Sequence, residues 1–530
     1  MRRAAVPLTR TVVAALVSAA LLAACGRGGA VLEDPPTDPA VVHTAAGALR
    51  GTTADDHRYF AGIPYAAPPV GPLRWQPPAP VAAWSGLRDA SSPGARCVQD
   101  VTTEVDRRRT SEDCLFVNVW TPPPSPQPRA VMVWIHGGGF FNGSGDLYDA
   151  RRLVSQGDIV VVTINYRLGA LGFLADPALG RDPRRHDAIG NYGLADQQAA
   201  LRWVRDNIAA FGGDPDRVTI AGESAGGMAV CDHLVAPGSA GLFRAAIIQS
   251  APCQAQYDLP TAELTSTAYA AEVGCPDRAD VAACLRALPA DRFQHPLMYG
   301  RFGTERLSGP VTGTPVLPVN PVVGIAEGRA APVPVMIGTT ADEFTFFTAL
   351  QYLRGRQFDA AKYPELLAEA FGPAADAVAA RYPPERFGGD VAQAYSAAMT
   401  AGDFACVADF IADAHASAPV YSYEFNDRGA PAPEPLQAAP FPIGAAHSLE
   451  LQYLFDVGGA PAFNTAQQRL AEQMIDYWSS FVSTAAPGPD WPPVTDGRAG
   501  RRMSLRPDGN RVVTDYEQNH ECAFWAGVRS

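Results

Sequence analysis

Apolar and polar positions along this 530-residue chain fall into two repeating patterns. A continuous apolar run, expected of a strand buried on both faces of a sheet, occupies 130–135, and further strands are expected over 159–165, 245–249, 332–338 and 420–425. A further strand is expected over 112–120, and Arg217-Val218-Thr219-Ile220 begins another. Between these runs the period changes. Residues 193–204 place Leu194, Leu201 and Val204 on one helical face, with Asp196 near the start. Residues 228–234 and 466–483 also read as helix, the latter carrying Trp478. Strand alternating with helix over short connections implies an α/β fold, a mostly parallel central sheet with helices on both faces. The opening stretch 41–83 is turn-rich and dense in proline, and reads as loop with short edge strands. The segment between the strands at 245–249 and 332–338, together with 346–405, looks helical and is expected to form a cap.

Composition narrows the partners. A formal charge of −13 argues against nucleic acid. The N-terminus reads as a leader over 1–24, with Arg2, Arg3 and Arg10 ahead of an apolar run at 11–22 that is too short to span a bilayer. It ends in Leu22-Ala23-Ala24-Cys25, which is similar to a bacterial lipobox, and so implies lipidation at Cys25. Residues 25–39, rich in Gly, Pro and Asp, then read as the lipidated cysteine and a tether, with one domain over 40–530. The mature protein is expected outside the cytoplasm, anchored at the membrane by lipid alone or secreted. Export leaves eight of the nine cysteines free to form disulfides, and eight allow about a hundred full pairings. No Cys-x-x-Cys or His-x-x-x-His spacing suggests a metal.

The chemistry centres on Gly222-Glu223-Ser224-Ala225-Gly226, which follows the strand at 217 and precedes the helix at 228. Strand, tight turn and helix are the context of a nucleophile elbow, in which a serine hydroxyl stands exposed on a strained turn. Upstream, the strand at 130–135 runs into His136-Gly137-Gly138-Gly139-Phe140. Glycines there expose backbone N–H groups that can converge on an oxyanion. A serine needs an imidazole to take its proton, and the imidazole needs a carboxylate to fix its tautomer. Taking the acid before the base leaves His415, His447 and His520. His415 reads as a surface position of a helix and His520 lies two residues from Cys522 near the chain end. His447 sits in a loop after Gly444-Ala445-Ala446, the mobile but anchored setting that a base requires. The acid should leave the end of a strand; Asp342 and Glu343 both do, and spacing does not separate them.

The motifs also carry a family likeness. Residues 211–226 (FGGDPDRVTIAGESAG) and 112–122 (EDCLFVNVWTP) resemble the two signatures of the type-B carboxylesterase family, which includes carboxylesterases and cholinesterases. PYAAPPVG, VWIHGGGF, NYRLGALGF and GNYGLADQQAALRWVRDNI are similar to further family blocks, so the likeness spans about 40–530. It implies an α/β-hydrolase fold with a helical cap and a cofactor-free serine esterase acting on a small-molecule ester, with no protein partner inferred. The acid it implies is Glu343, in a loop where Thr340 and Phe344 replace the family's Asn and Gly; the base is His447, followed by Ser448 where the family has Gly, with Glu450 retained. The pocket is expected to differ in shape there. The likeness further implies oxyanion donors at Gly138, Gly139 and Ala225, support of the acid by Ser250, a role for Glu223 and Glu450 around the triad, and disulfides Cys97–Cys114, Cys275–Cys284 and Cys406–Cys522. Cys231 and Cys253 have no family partner. In cholinesterases the loop between the first two cysteines carries a tryptophan that binds the quaternary ammonium, whereas 98–113 here hold no aromatic residue. An uncharged short- to medium-chain ester is therefore the expected substrate, with a lipase, an amidase or a silent binding module as rivals.

Overall fold

The computed structural model describes residues 38–101, 107, 109–181, 188–276, 280–302, 305–494 and 501–529. The expected leader over 1–24, Cys25 and the tether as far as residue 37 lie outside them. Eleven strands form one sheet: β1 (Thr52–Thr53), β2 (Arg58–Pro64), β3 (Phe116–Thr121), β4 (Arg129–Ile135), β5 (Val160–Ile164), β6 (Gly213–Glu223), β7 (Ala245–Gln249), β8 (Val335–Thr340), β9 (Val420–Phe425), β10 (Arg502–Leu505) and β11 (Arg511–Val513), in the spatial order β11-β10-β9-β8-β7-β6-β4-β5-β3-β2-β1. Pairing is parallel from β5 through to β10 and antiparallel at both margins.

Why the central runs are continuously apolar is visible in β4. Val131, Val133 and Ile135 enter one core, while Ala130, Met132 and Trp134 enter another on the opposite face. The first face is covered by α1 (Tyr192–Asn207), which contributes Leu194, Leu201 and Val204, and by α2 (Ala225–Val235). The second is covered by the C-terminal helix Thr465–Thr484, through Leu470, Met474, Trp478 and Phe481. Asn464 starts that helix with a capping box closed by Gln467. A third apolar cluster, with Phe344, Leu367, Tyr395, Phe404 and Trp525, knits together the helices of the cap region.

The opening stretch differs from its expected loop character. β2 is a seven-residue strand of the main sheet, and Phe60, Ala61 and Ile63 are fully buried. Its apolar positions were disguised because Gly62 takes φ +63° at an irregularity where the pairing with β3 slips between Phe60 and Ile63. Four disulfides are formed: Cys97–Cys114, Cys275–Cys284, Cys406–Cys522 and also Cys231–Cys253, which ties α2 to the turn after β7. Among the described residues no helix is long and apolar enough to cross a membrane.

Candidate active site

Because β4, β6, β7 and β8 run parallel, their C-terminal ends lie along one edge of the sheet. That edge receives His136 after β4, Ser224 after β6, Ser250 after β7 and Glu343 after β8. Ser224 forms the junction between β6 and α2 with φ 57° and ψ −123°, a strained conformation for a residue with a Cβ. The neighbouring helix can come this close only with glycine at 226, where a Cβ would stand 2.0 Å from the Ile135 carbonyl oxygen. A Cβ at Gly137 would stand 3.1 Å from that of Ser224, so the glycine loop lies against the nucleophile. The N–H groups of Gly138 and Gly139 have no acceptor among the described residues. Ala225 is the first residue of α2, where an N–H has no acceptor within the helix.

The acid and base come together across 104 residues of sequence: His447 Nδ1 lies 2.6 Å from Glu343 Oε2. A carboxylate only accepts, so Nδ1 carries a proton. Glu343 is fully buried, and its other oxygen accepts the Thr340 N–H at 2.7 Å. Asp342, the rival for this role, points elsewhere: it pairs with Arg428 and accepts the Ala445 N–H at 3.0 Å. Ser250 is positioned at the strand edge with φ 50°, but its Oγ is buried with no partner among the described residues, and it is the Thr340 N–H that donates to Glu343. His415 is buried, not on the surface as its helix suggested; it caps the helix Cys406–Ala414 and its Nε2 lies 2.9 Å from the Val333 carbonyl. His520 pairs with Glu424 at 2.5 Å.

Two more carboxyls surround the base. Glu223 accepts from Ser448 Oγ at 2.5 Å, and its Oε1 lies 3.2 Å from His447 Nε2. Glu450 is fully buried; Gln249 Nε2 donates to its Oε1 at 3.3 Å, and Gln249 in turn accepts from Trp478 Nε1. Burial pushes the Glu450 carboxyl well up, and repulsion from Glu223 and Glu343 adds to it. Burial also raises Glu223. For His447, burial opposes the charged ring, but Glu223 and Glu343 outweigh it and raise its pKa to about 9. A carboxylate facing each nitrogen favours the imidazolium, and among the described residues no hydrogen bond joins Nε2 to Ser224 Oγ. Catalytic hydrogen bonds are commonly made only once substrate is bound.

Sequence reasoning missed Gln249 and three phenylalanines. The rings of Phe346, Phe347 and Phe404 stand 5.9, 5.0 and 5.4 Å from the His447 ring. Phe346 and Phe347 follow Glu343 closely, a signal that was available; Phe404 arrives from a π-helical segment, Thr400–Ala405, that no pattern announces. For a metal, the described residues offer one trio of carboxylates, Asp409, Asp413 and Glu517. The Arg502 guanidinium pairs with Asp409 and lies 3.8 Å from Asp413, filling the role of a cation there.

Residues 38–525 match the family model described as the Carboxylesterase family. A fumonisin B1 esterase of Sphingopyxis macrogoltabida is 36% identical over 502 residues, which is 90% of this chain and 87% of that protein. A para-nitrobenzyl esterase of Bacillus subtilis (strain 168) is 35% identical over 478 residues, 85% of this chain and 92% of that protein. Catalytic-type geometry at the strand edge and similarity over nearly the whole length agree: the chain belongs to the carboxylesterase family and is a carboxylic ester hydrolase with the α/β-hydrolase fold.

Proposed function

We propose that the protein hydrolyses uncharged short- to medium-chain carboxylic esters through an acyl-enzyme on Ser224. The observations that carry this are Ser224 on its strained turn with the glycine loop against it, and the Glu343–His447 pair at 2.6 Å, whose Nε2 lies 3.2 Å from Glu223, the residue before Ser224. Neutral His447 takes the Ser224 proton as Oγ attacks the ester carbonyl. The N–H groups of Gly138, Gly139 and Ala225 hold the oxyanion. Collapse of the tetrahedral adduct expels the alcohol, which takes its proton from His447. Water then attacks the acyl-enzyme by the same route, and the carboxylic acid leaves with Ser224 restored. Glu343 fixes the ring and stabilises the imidazolium throughout. Three phenylalanine rings around His447 support an apolar substituent on the substrate. No cofactor is required.

The same reading places the protein outside the cytoplasm, as one hydrolase domain over 40–530 held to the membrane by lipid on Cys25 or released. Four disulfides support an oxidising compartment. The test is a kinetic panel: p-nitrophenyl esters of increasing acyl length, a choline ester and an anilide. The proposal expects kcat/KM to be highest on short to medium acyl chains. Preference for the longest chains would make the enzyme a lipase, and preference for the anilide an amidase; either outcome would displace it.

A further inference from the structure

A half-open cleft of about 580 Å³ lies beside the acid loop, and no member of the triad lines it. Its walls gather Arg386, Arg428 and Arg506 against two carboxylates, Asp342 and Glu424, in a chain whose net charge is −13. Each carboxylate is already engaged. Asp342 holds Arg428, with Oδ2 2.8 Å from its Nε, and Glu424 holds His520. Arg386 has its own partner in Glu521, 2.9 Å away. Arg506 is different. Its Nε donates to Ser504 Oγ at 2.8 Å and its backbone N–H to Asn510 Oδ1 at 2.9 Å, so the residue is positioned, yet no carboxylate meets it among the described residues.

A guanidinium offers five donors in a planar fork that matches carboxylate and phosphate oxygens. Ser504 uses one of them. A concave wall with excess positive charge focuses the field on its interior, which raises the local concentration of anions. The volume falls within the range of roughly 300–1,000 Å³ that small-molecule sites occupy. We infer that this cleft binds a small organic anion, bearing carboxylate or phosphate, with the carboxylate-free Arg506 guanidinium as the principal contact.

The site would lie next to the catalytic apparatus without being part of it. Asp342, in its wall, precedes Glu343 and accepts the Ala445 N–H from the loop that carries His447. Thr400, also in the wall, accepts the Phe344 N–H at 3.0 Å and begins the π-helical segment that brings Phe404 to the His447 ring.

Isothermal titration of the full chain at low ionic strength tests the inference with citrate, inorganic phosphate and, as an uncharged control, glycerol. Saturable binding of citrate or phosphate and none of glycerol is expected. Tighter citrate marks a carboxylate ligand, and tighter phosphate marks a phosphate ligand. Arg506→Gln should weaken the Kd about tenfold or more, the cost of losing a charged hydrogen-bonding partner. Arg506→Lys, which keeps the charge without the fork, should fall between and carries the test if the glutamine variant does not fold. Neither anion saturating the wild-type protein, or affinity unchanged in both variants, overturns the proposal.

Discussion

Glu223→Gln isolates the electrostatics of the site. The substitution keeps an oxygen able to accept from Ser448 but removes the charge that stands 3.2 Å from His447 Nε2. A carboxylate beside an imidazole favours the imidazolium, so the proton leaves at higher pH; without that charge it leaves at lower pH. At an effective dielectric of about 20, a full charge pair at that distance is worth roughly 5 kcal/mol, which sets a ceiling of about 4 pH units. The ceiling is not reached, because burial raises the Glu223 pKa and so works against its charged form. A floor comes from the base itself. Its pKa is raised from 6.5 to about 9 against the opposing effect of burial, with Glu223 the stronger Coulombic contributor and Glu343 next. Glu223 therefore accounts for about one pH unit or more. A fall from about 9 to about 8 changes the neutral fraction of His447 at pH 7 from about 1% to about 10%, a tenfold gain in competent base. The assay is kcat/KM for an uncharged ester from pH 5 to 10 by pH-stat, since this quantity reports the free enzyme. In the wild type, activity should climb through an acid limb well above pH 6.5, and in Glu223→Gln the limb should move down by about one pH unit or more, whatever happens to the plateau. Acid limbs at the same pH in both proteins would refute the assignment of Glu223 as the charge that loads His447.

Other expectations test separate parts of the structure. Gly226→Ala would put a methyl 2.0 Å from the Ile135 carbonyl oxygen, so a loss of at least about 1–3 kcal/mol in thermal unfolding, together with loss of activity, is expected; a wild-type Tm would contradict the close approach. Cys97–Cys114, with a separation of 17 residues, should contribute about 3 kcal/mol on the chain-entropy model, and non-reducing peptide maps should recover it along with Cys231–Cys253; free thiols at either pair would count against the bridges. Choline esters should lose on the order of thirtyfold or more in kcat/KM against an uncharged ester of similar reactivity, since a desolvated cation–π contact is worth about 2 kcal/mol and 98–113 hold no aromatic residue. The Glu223 carboxylate favours a cation, so butyrylthiocholine turned over as well as the uncharged butyrate would show that buried charge outweighs the missing ring.

The strands on either side of the elbow strand were legible because each is buried on both faces and so carries an unbroken apolar run, 130–135 in β4 and 245–248 in β7. Ser224 was legible because the elbow is local: strand, turn glycines and helix are contiguous. The acid was not. Asp342 and Glu343 leave β8 together, and the fold shows Glu343 turning to His447 and Asp342 to Arg428. Gln249 and Phe404 were invisible because Gln249 reaches Glu450, and Phe404 the His447 ring, only through tertiary approach that no local pattern marks. His415 was misplaced because a helix end among Ala, Asp and Ile does not reveal that the Val333 carbonyl closes over it. The Cys231–Cys253 bridge follows only from the packing of α2 beside the turn after β7.

The central claim is that Ser224 is the nucleophile, and covalent labelling tests it most directly. Wild-type protein is treated with a fluorophosphonate and mapped by peptide mass spectrometry, beside Ser224→Ala. One stoichiometric adduct on Ser224, absent from the variant, is expected, with ester hydrolysis in the folded variant reduced by roughly 10⁴-fold or more. An adduct on any other serine, or hydrolysis that survives in Ser224→Ala, would contradict the account.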